Sequence, residues 1–122
     1  MRIRLGEIAY ARSGDKGSGA TLGIFAYSAE GYAFLRERLT AGVMEEYFKP
    51  MGCAGVRRYE VPNLQTLNFV LPEVLAGGGS RSLRVDAQGK AVGQVALEMI
   101  IDVPEDVLSR CRPTTAQRSH IA

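Results

Sequence analysis

The sequence has no tryptophan and a single histidine, His120. A Ser-His-Asp triad or a histidine-activated thiol needs an imidazole held beside its nucleophile. His120 falls in a segment that reads as a tail, so neither arrangement has an anchored base. Cysteine is nearly as scarce: Cys53 and Cys111 form no framework spacing and read as free thiols, and two distant cysteines do not make a zinc site. Long apolar runs are missing, which excludes a membrane-spanning helix. Charge of one sign is not in excess either. Fifteen Lys and Arg against thirteen Asp and Glu leave a net charge of +2. With no basic run interleaved with aromatics, a nucleic-acid binder is disfavoured. Met1-Arg2-Ile3-Arg4 leads into Gly6-Glu7 rather than into an apolar signal core, which points to the cytoplasm.

What remains is ordinary for one folded unit: 122 residues, 46% apolar and 23% charged. Ile3 and Leu5 alternate with arginines as in a half-buried strand. The phase slips at Gly6, where a bulge would reconcile it with Ile8 and Tyr10. Leu22, Ile24 and Ala26 alternate again. Ser28 predicts a helix N-cap with Glu30 in the first turn and Tyr32, Leu35 and Leu39 on one face. Thr40 predicts the cap of a second helix carrying Val43, Met44, Tyr47 and Phe48, which Pro50 and Gly52 end. Val56 to Val61 reads as a strand stopped by Pro62.

Leu64, Leu67, Leu71 and Val74 fit a helical stripe, which Pro72 would have to kink. The same stretch also admits a strand over Leu67-Asn68-Phe69-Val70-Leu71. The kinked helix is the expectation taken here. Ser82 to Val85 reads as a strand and Asp86 to Gly89 as a turn. Val95, Leu97, Met99, Ile101 and Val103 alternate strictly and predict a second strand. Val107 and Leu108 suggest a short helical turn, and Arg112 to Ala122 a mobile tail. The predicted architecture is α+β: a two-layer sandwich of a mostly antiparallel sheet with helices on one face, over residues 1–103, followed by a C-terminal extension over 104–122.

Two glycine-rich stretches stand out. The first holds Arg12, Ser13, Gly14, Asp15, Lys16 and Gly17. Glycine lets backbone amides turn inward around an anion, and Arg12 and Lys16 add charge. Asp15 and Lys16 are the candidates for proton transfer. The stretch is neither a Walker loop nor a dinucleotide fingerprint. A plain hairpin explains its glycines somewhat better than a ligand does. The second stretch holds Gly77, Gly78, Gly79 and Arg81. One glycine would close a helix, but three suggest close approach by a backbone or ligand, with Arg81 as an anion clamp. Asn68, on an apolar segment, needs a polar pocket or a backbone partner. The two stretches are expected to lie together and form one site.

These segments, with Asp86, Gly89 and Lys90, resemble the AtuA-like small domain of the acyclic terpene utilisation family. Arg-Ser-Gly-Asp-Lys-Gly is the most specific part, and the resemblance runs over roughly residues 3–103. It implies a ferredoxin-like fold, either fused to a larger AtuA-type protein or made as a separate small subunit that docks on one. It also implies work in acyclic terpenoid or branched acyl-CoA breakdown, with no resident cofactor and a coenzyme A thioester as a candidate ligand. Three functions stay open at this point. One is an accessory subunit with an anion-contact site. Another is an independent acyl-CoA or carboxylate enzyme using Asp15 and Lys16. The third is a structural homo-oligomer.

Overall fold

A computed structural model describes residues 1–74 and 90–113. The glycines at 77–79, Arg81 and the strand and turn expected over 82–89 lie outside the described residues, as does the tail from 114 onward.

Strand β1, Arg2–Arg4, is followed by a 3-10 turn over Leu5–Glu7. This turn, not a bulge, resets the alternation at Gly6. Then come β2 (Ala9–Lys16), β3 (Gly19–Ala26), helix α1 (Ala29–Arg38), helix α2 (Ala41–Phe48), β4 (Arg57–Val61) and β5 (Thr66–Leu71). Helix α3 (Lys90–Leu97), β6 (Ile100–Asp102) and helix α4 (Glu105–Cys111) complete the described chain. β2, β3, β5 and β4 lie in that order in one antiparallel sheet, while β1 pairs with β6 in a two-stranded one. The architecture is α+β, with antiparallel sheets and helices, as the sequence predicts.

The caps form as expected. Ser28 Oγ accepts from Gly31 N–H at 2.9 Å and donates to the Arg110 carbonyl at 2.7 Å, so one hydroxyl starts α1 and ties α4 to it. Thr40 Oγ1 accepts from Val43 N–H and starts α2. Gly52, at φ +83°, closes the turn after α2, a left-handed position that glycine adopts without Cβ strain. The Arg58 guanidinium donates to the Arg36 and Leu39 carbonyls, satisfying the C-terminal end of α1 from strand β4.

Two further expectations fail. Residues 66–71 form a strand rather than a kinked helix. Thr66, Leu67, Phe69 and Leu71 are buried, and β5 is bonded on both sides, to β3 and β4. Leu67, Phe69 and Leu71 satisfy period two as well as the helical stripe, and Pro72 follows the strand instead of kinking a helix. Conversely, the alternation from Val95 to Val103 is not one strand. Residues up to Leu97 belong to α3, where Val92 and Ala96 are fully buried four residues apart, and only Ile100–Asp102 pair with β1.

The inner face of the large sheet carries Ala20, Leu22, Ile24, Leu67, Phe69 and Leu71, each at most 1% exposed. Helices α1 and α3 pack on that side. Gly93 of α3 comes so close to β2 that a Cβ there would lie 3.4 Å from Ala11 Cβ and 3.2 Å from Ser13 Oγ. Fully burying a large apolar side chain stabilises by roughly 1.5–3 kcal/mol, so this layer dominates the fold.

Candidate functional site

The first glycine-rich stretch is not an open loop. β2 runs through it to Lys16, paired residue by residue with β3: Arg12 opposite Gly23, Gly14 opposite Thr21, Lys16 opposite Gly19. Gly17, at φ +64°, and Ser18 make the two-residue turn. The plain hairpin reading of the residues is therefore the observed one. Amides of an edge strand point alternately to the two sides and do not converge on a ligand.

Pairing instead builds a site on the outer face of the sheet. Residues directly opposite each other in antiparallel strands project to the same side. One row across all four strands reads Arg12, Gly23, Asn68, Tyr59. The next row reads Gly14, Thr21, Val70, Arg57, and the row on the other side Tyr10, Phe25, Thr66, Val61. The first row, Gly14, Thr21 and Val70 of the second, and Phe25 line an open depression of about 510 Å³.

Its shape follows from its glycines. A Cβ on Gly23 would meet Phe25 Cε1 at 2.9 Å and Asn68 Oδ1 at 3.1 Å. Phe25 leans over Gly23 from along β3, and the Asn68 amide leans over it from β5. Phe25 in turn stacks on Tyr10, with ring centroids 4.8 Å apart and planes 11° apart, and Tyr10 meets Tyr27 at 5.7 Å. The aromatics wall one end of the depression. Arg12 stands on the β2 side and Tyr59, 51% exposed, on the β4 side. Arg12 and Asn68 are exposed and have no hydrogen-bond or ion-pair partner among the described residues. No acidic side chain stands in the three rows, so among the described residues nothing neutralises the Arg12 charge.

The predicted site residues divide. Arg12, Gly14 and Asn68 come together on the outer face. Ser13, between Arg12 and Gly14, faces the other way and accepts from Gly93 N–H of α3 at 3.1 Å. Asp15 and Lys16 form the end of β2, and Gly17 sits in the turn. Phe25, Tyr59 and Tyr10 were missed by sequence reasoning. The signal for them was a glycine, Gly23, in the middle of a well-patterned strand, which marks a close approach over its Cα.

The fold places the hairpin, the central strand β5 and the N- and C-terminal strands β1 and β6 in one continuous unit, and residues 3–102 match the family model of the AtuA ferredoxin-like domain. The chain belongs to this family. No curated protein and no solved structure matches it. Within this AtuA ferredoxin-like domain, the Arg-Ser-Gly-Asp-Lys-Gly segment that carries the resemblance is the strand and turn bordering the outer face. Among the described residues, no helix is long and apolar enough to cross a membrane.

Both thiols are free and buried. Burial, with the Glu45 carboxylate nearby, pushes the Cys53 thiol up to about 11, and burial with Glu30 nearby raises Cys111 as well. Thiols held protonated in this way are poor nucleophiles at neutral pH.

Proposed function

We propose that this chain is an accessory module of an AtuA-type protein. It docks on a larger AtuA-type chain in the breakdown of acyclic terpenoid or branched acyl-CoA compounds, and it offers the acyl substrate an anion-contact face. Membership of the AtuA ferredoxin-like domain family supports the docking half of this reading. The observation that carries the contact half is the row Arg12–Gly23–Asn68–Tyr59, in which a guanidinium, an amide and a phenol share one open face. A guanidinium with no carboxylate beside it keeps its full charge for an incoming anion.

Co-expression with a large AtuA-type chain tests the proposal. The two are expected to co-elute in fixed ratio and to exceed either chain alone in turnover of branched acyl-CoA. If the isolated chain turns over acyl-CoA thioesters by itself, and Asp15→Asn abolishes that turnover, the independent-enzyme reading replaces this one.

A further inference from the structure

We propose that the depression on the outer sheet face is a binding site for a short aliphatic monocarboxylate, with the carboxylate on Arg12. The inference names the ligand class of the face invoked in the module reading, and for its biological setting it rests on that reading.

The composition and shape of the lining lead there. The only cation in the row is a guanidinium, whose planar fork matches the two oxygens of a carboxylate. Asn68, two strands over in the same row, leans its Oδ1 over Gly23, and its amide nitrogen is the neutral donor that this row can add to the guanidinium. A tetrahedral phosphate, by contrast, is held by backbone amides that converge, and the amides here run sideways in a strand. Apart from the Thr21 hydroxyl and the Tyr59 phenol, the rest of the outward-facing lining is apolar or lacks a side chain. Gly14 leaves room beside Arg12, Val70 floors the next row, and the Phe25 ring closes the end. A short hydrocarbon body lying there removes its own surface and theirs from water, at about 25 cal/mol per Å². Arg57, on the far edge strand three strand spacings from β2, roughly 14 Å at the backbone, does not line the depression. A volume of about 510 Å³ is in the range of small-molecule sites, and its open side sets a modest affinity.

The test is an amide chemical-shift titration of the whole chain with butyrate, hexanoate, butyramide and inorganic phosphate. Butyrate and hexanoate are expected to give saturable shifts at residues 12–14, 21–25 and 68–70, with hexanoate the tighter. Butyramide and phosphate should give none there. Arg12→Gln should weaken hexanoate at least tenfold. Gly14→Val is a second variant, because a Cβ there makes only an ordinary 3.7 Å contact with Thr21 Oγ1 and the fold tolerates it. Its branched side chain should weaken hexanoate more than butyrate. The proposal is overturned if neither carboxylate saturates, if phosphate or butyramide competes equally, or if both variants bind hexanoate like wild type. Docking of the wild-type chain on a large AtuA-type chain is measured without any carboxylate. Docking without carboxylate binding removes this inference alone, and carboxylate binding without docking removes the module reading alone.

Discussion

The two faces of the four-stranded sheet are made by the same residues taken alternately, yet they are governed by different physics. Inward, Leu22, Ile24, Leu67, Phe69 and Leu71 are closed off from water and packed under α1 and α3. Outward, the partners in the same strands are Arg12, Thr21, Asn68 and Tyr59, set around glycines. The inner face is complementary to other parts of this chain. The outer face has exposed polar groups that nothing in the described chain satisfies. Folding therefore draws on one set of side chains and the proposed recognition on the other, and single substitutions separate the two.

The largest effect is expected inside. Phe69→Ala removes a ring that is 1% exposed and should cost about 3–5 kcal/mol in a urea titration. A cost under about 1 kcal/mol would mean that the inner face is not the core. The glycines of β3 give the next contrast. A Cβ on Gly19 would lie 2.8 Å from the Leu71 carbonyl oxygen and 3.3 Å from Pro72 Cα, both backbone atoms. Gly19→Ala should therefore destabilise by roughly 1–3 kcal/mol. On Gly23 the obstacles are the Phe25 ring and the Asn68 amide, side chains that can swing away. Gly23→Ala should change stability by less than about 1 kcal/mol while displacing both lining groups, visible as shifted Phe25 ring resonances.

pH probes the buried side separately. Burial raises the folded Cys53 thiol to about 11, above the ordinary value of 9.0 that the unfolded chain has. The folded state then holds the proton more tightly. That contribution is fully present below pH 9 and is lost as pH rises toward 11, a fall on the order of 2–3 kcal/mol. Unfolding measured at steps from pH 7.5 to 10.5 should show a flatter decline for Cys53→Ala than for wild type. Outside, the smallest stability effect is expected. Arg12→Gln should stay within about 0.5 kcal/mol of wild type, since its guanidinium has no partner among the described residues to lose. A larger loss would show that the outer face also supports the fold.

How much of this was legible depended on whether local chemistry sufficed. Ser28 and Thr40 announce their helices because a cap is a contact between residues three apart. The hairpin was legible in its glycines, though its two-residue turn at Gly17 was not singled out. β5 and α3 were misread because their patterns fit two periods at once. Leu67 and Leu71 suit a helix stripe and a strand face equally, and only pairing with β3 and β4 decides. Val95, Leu97 and Met99 alternate, but Val92 and Ala96 seat α3 on β2. The site was half visible. Arg12, Gly14 and Asn68 were marked by type, whereas Phe25 and Tyr59 join them through register, which no short window of sequence contains.

Arg12 and Ser13 are neighbours with separate clients, one facing the open depression and the other holding the Gly93 amide of α3. A strand that slipped by one position would trade them, putting a guanidinium under the helix and a small hydroxyl on the face. β2 is thus proofread from both sides at once. Its outward letters can be rewritten without cost to the fold, but its length cannot: an insertion or deletion between Ala9 and Lys16 would corrupt every position downstream of it. Lineages of this chain should accordingly diverge in that strand by exchange of residues and almost never by indels.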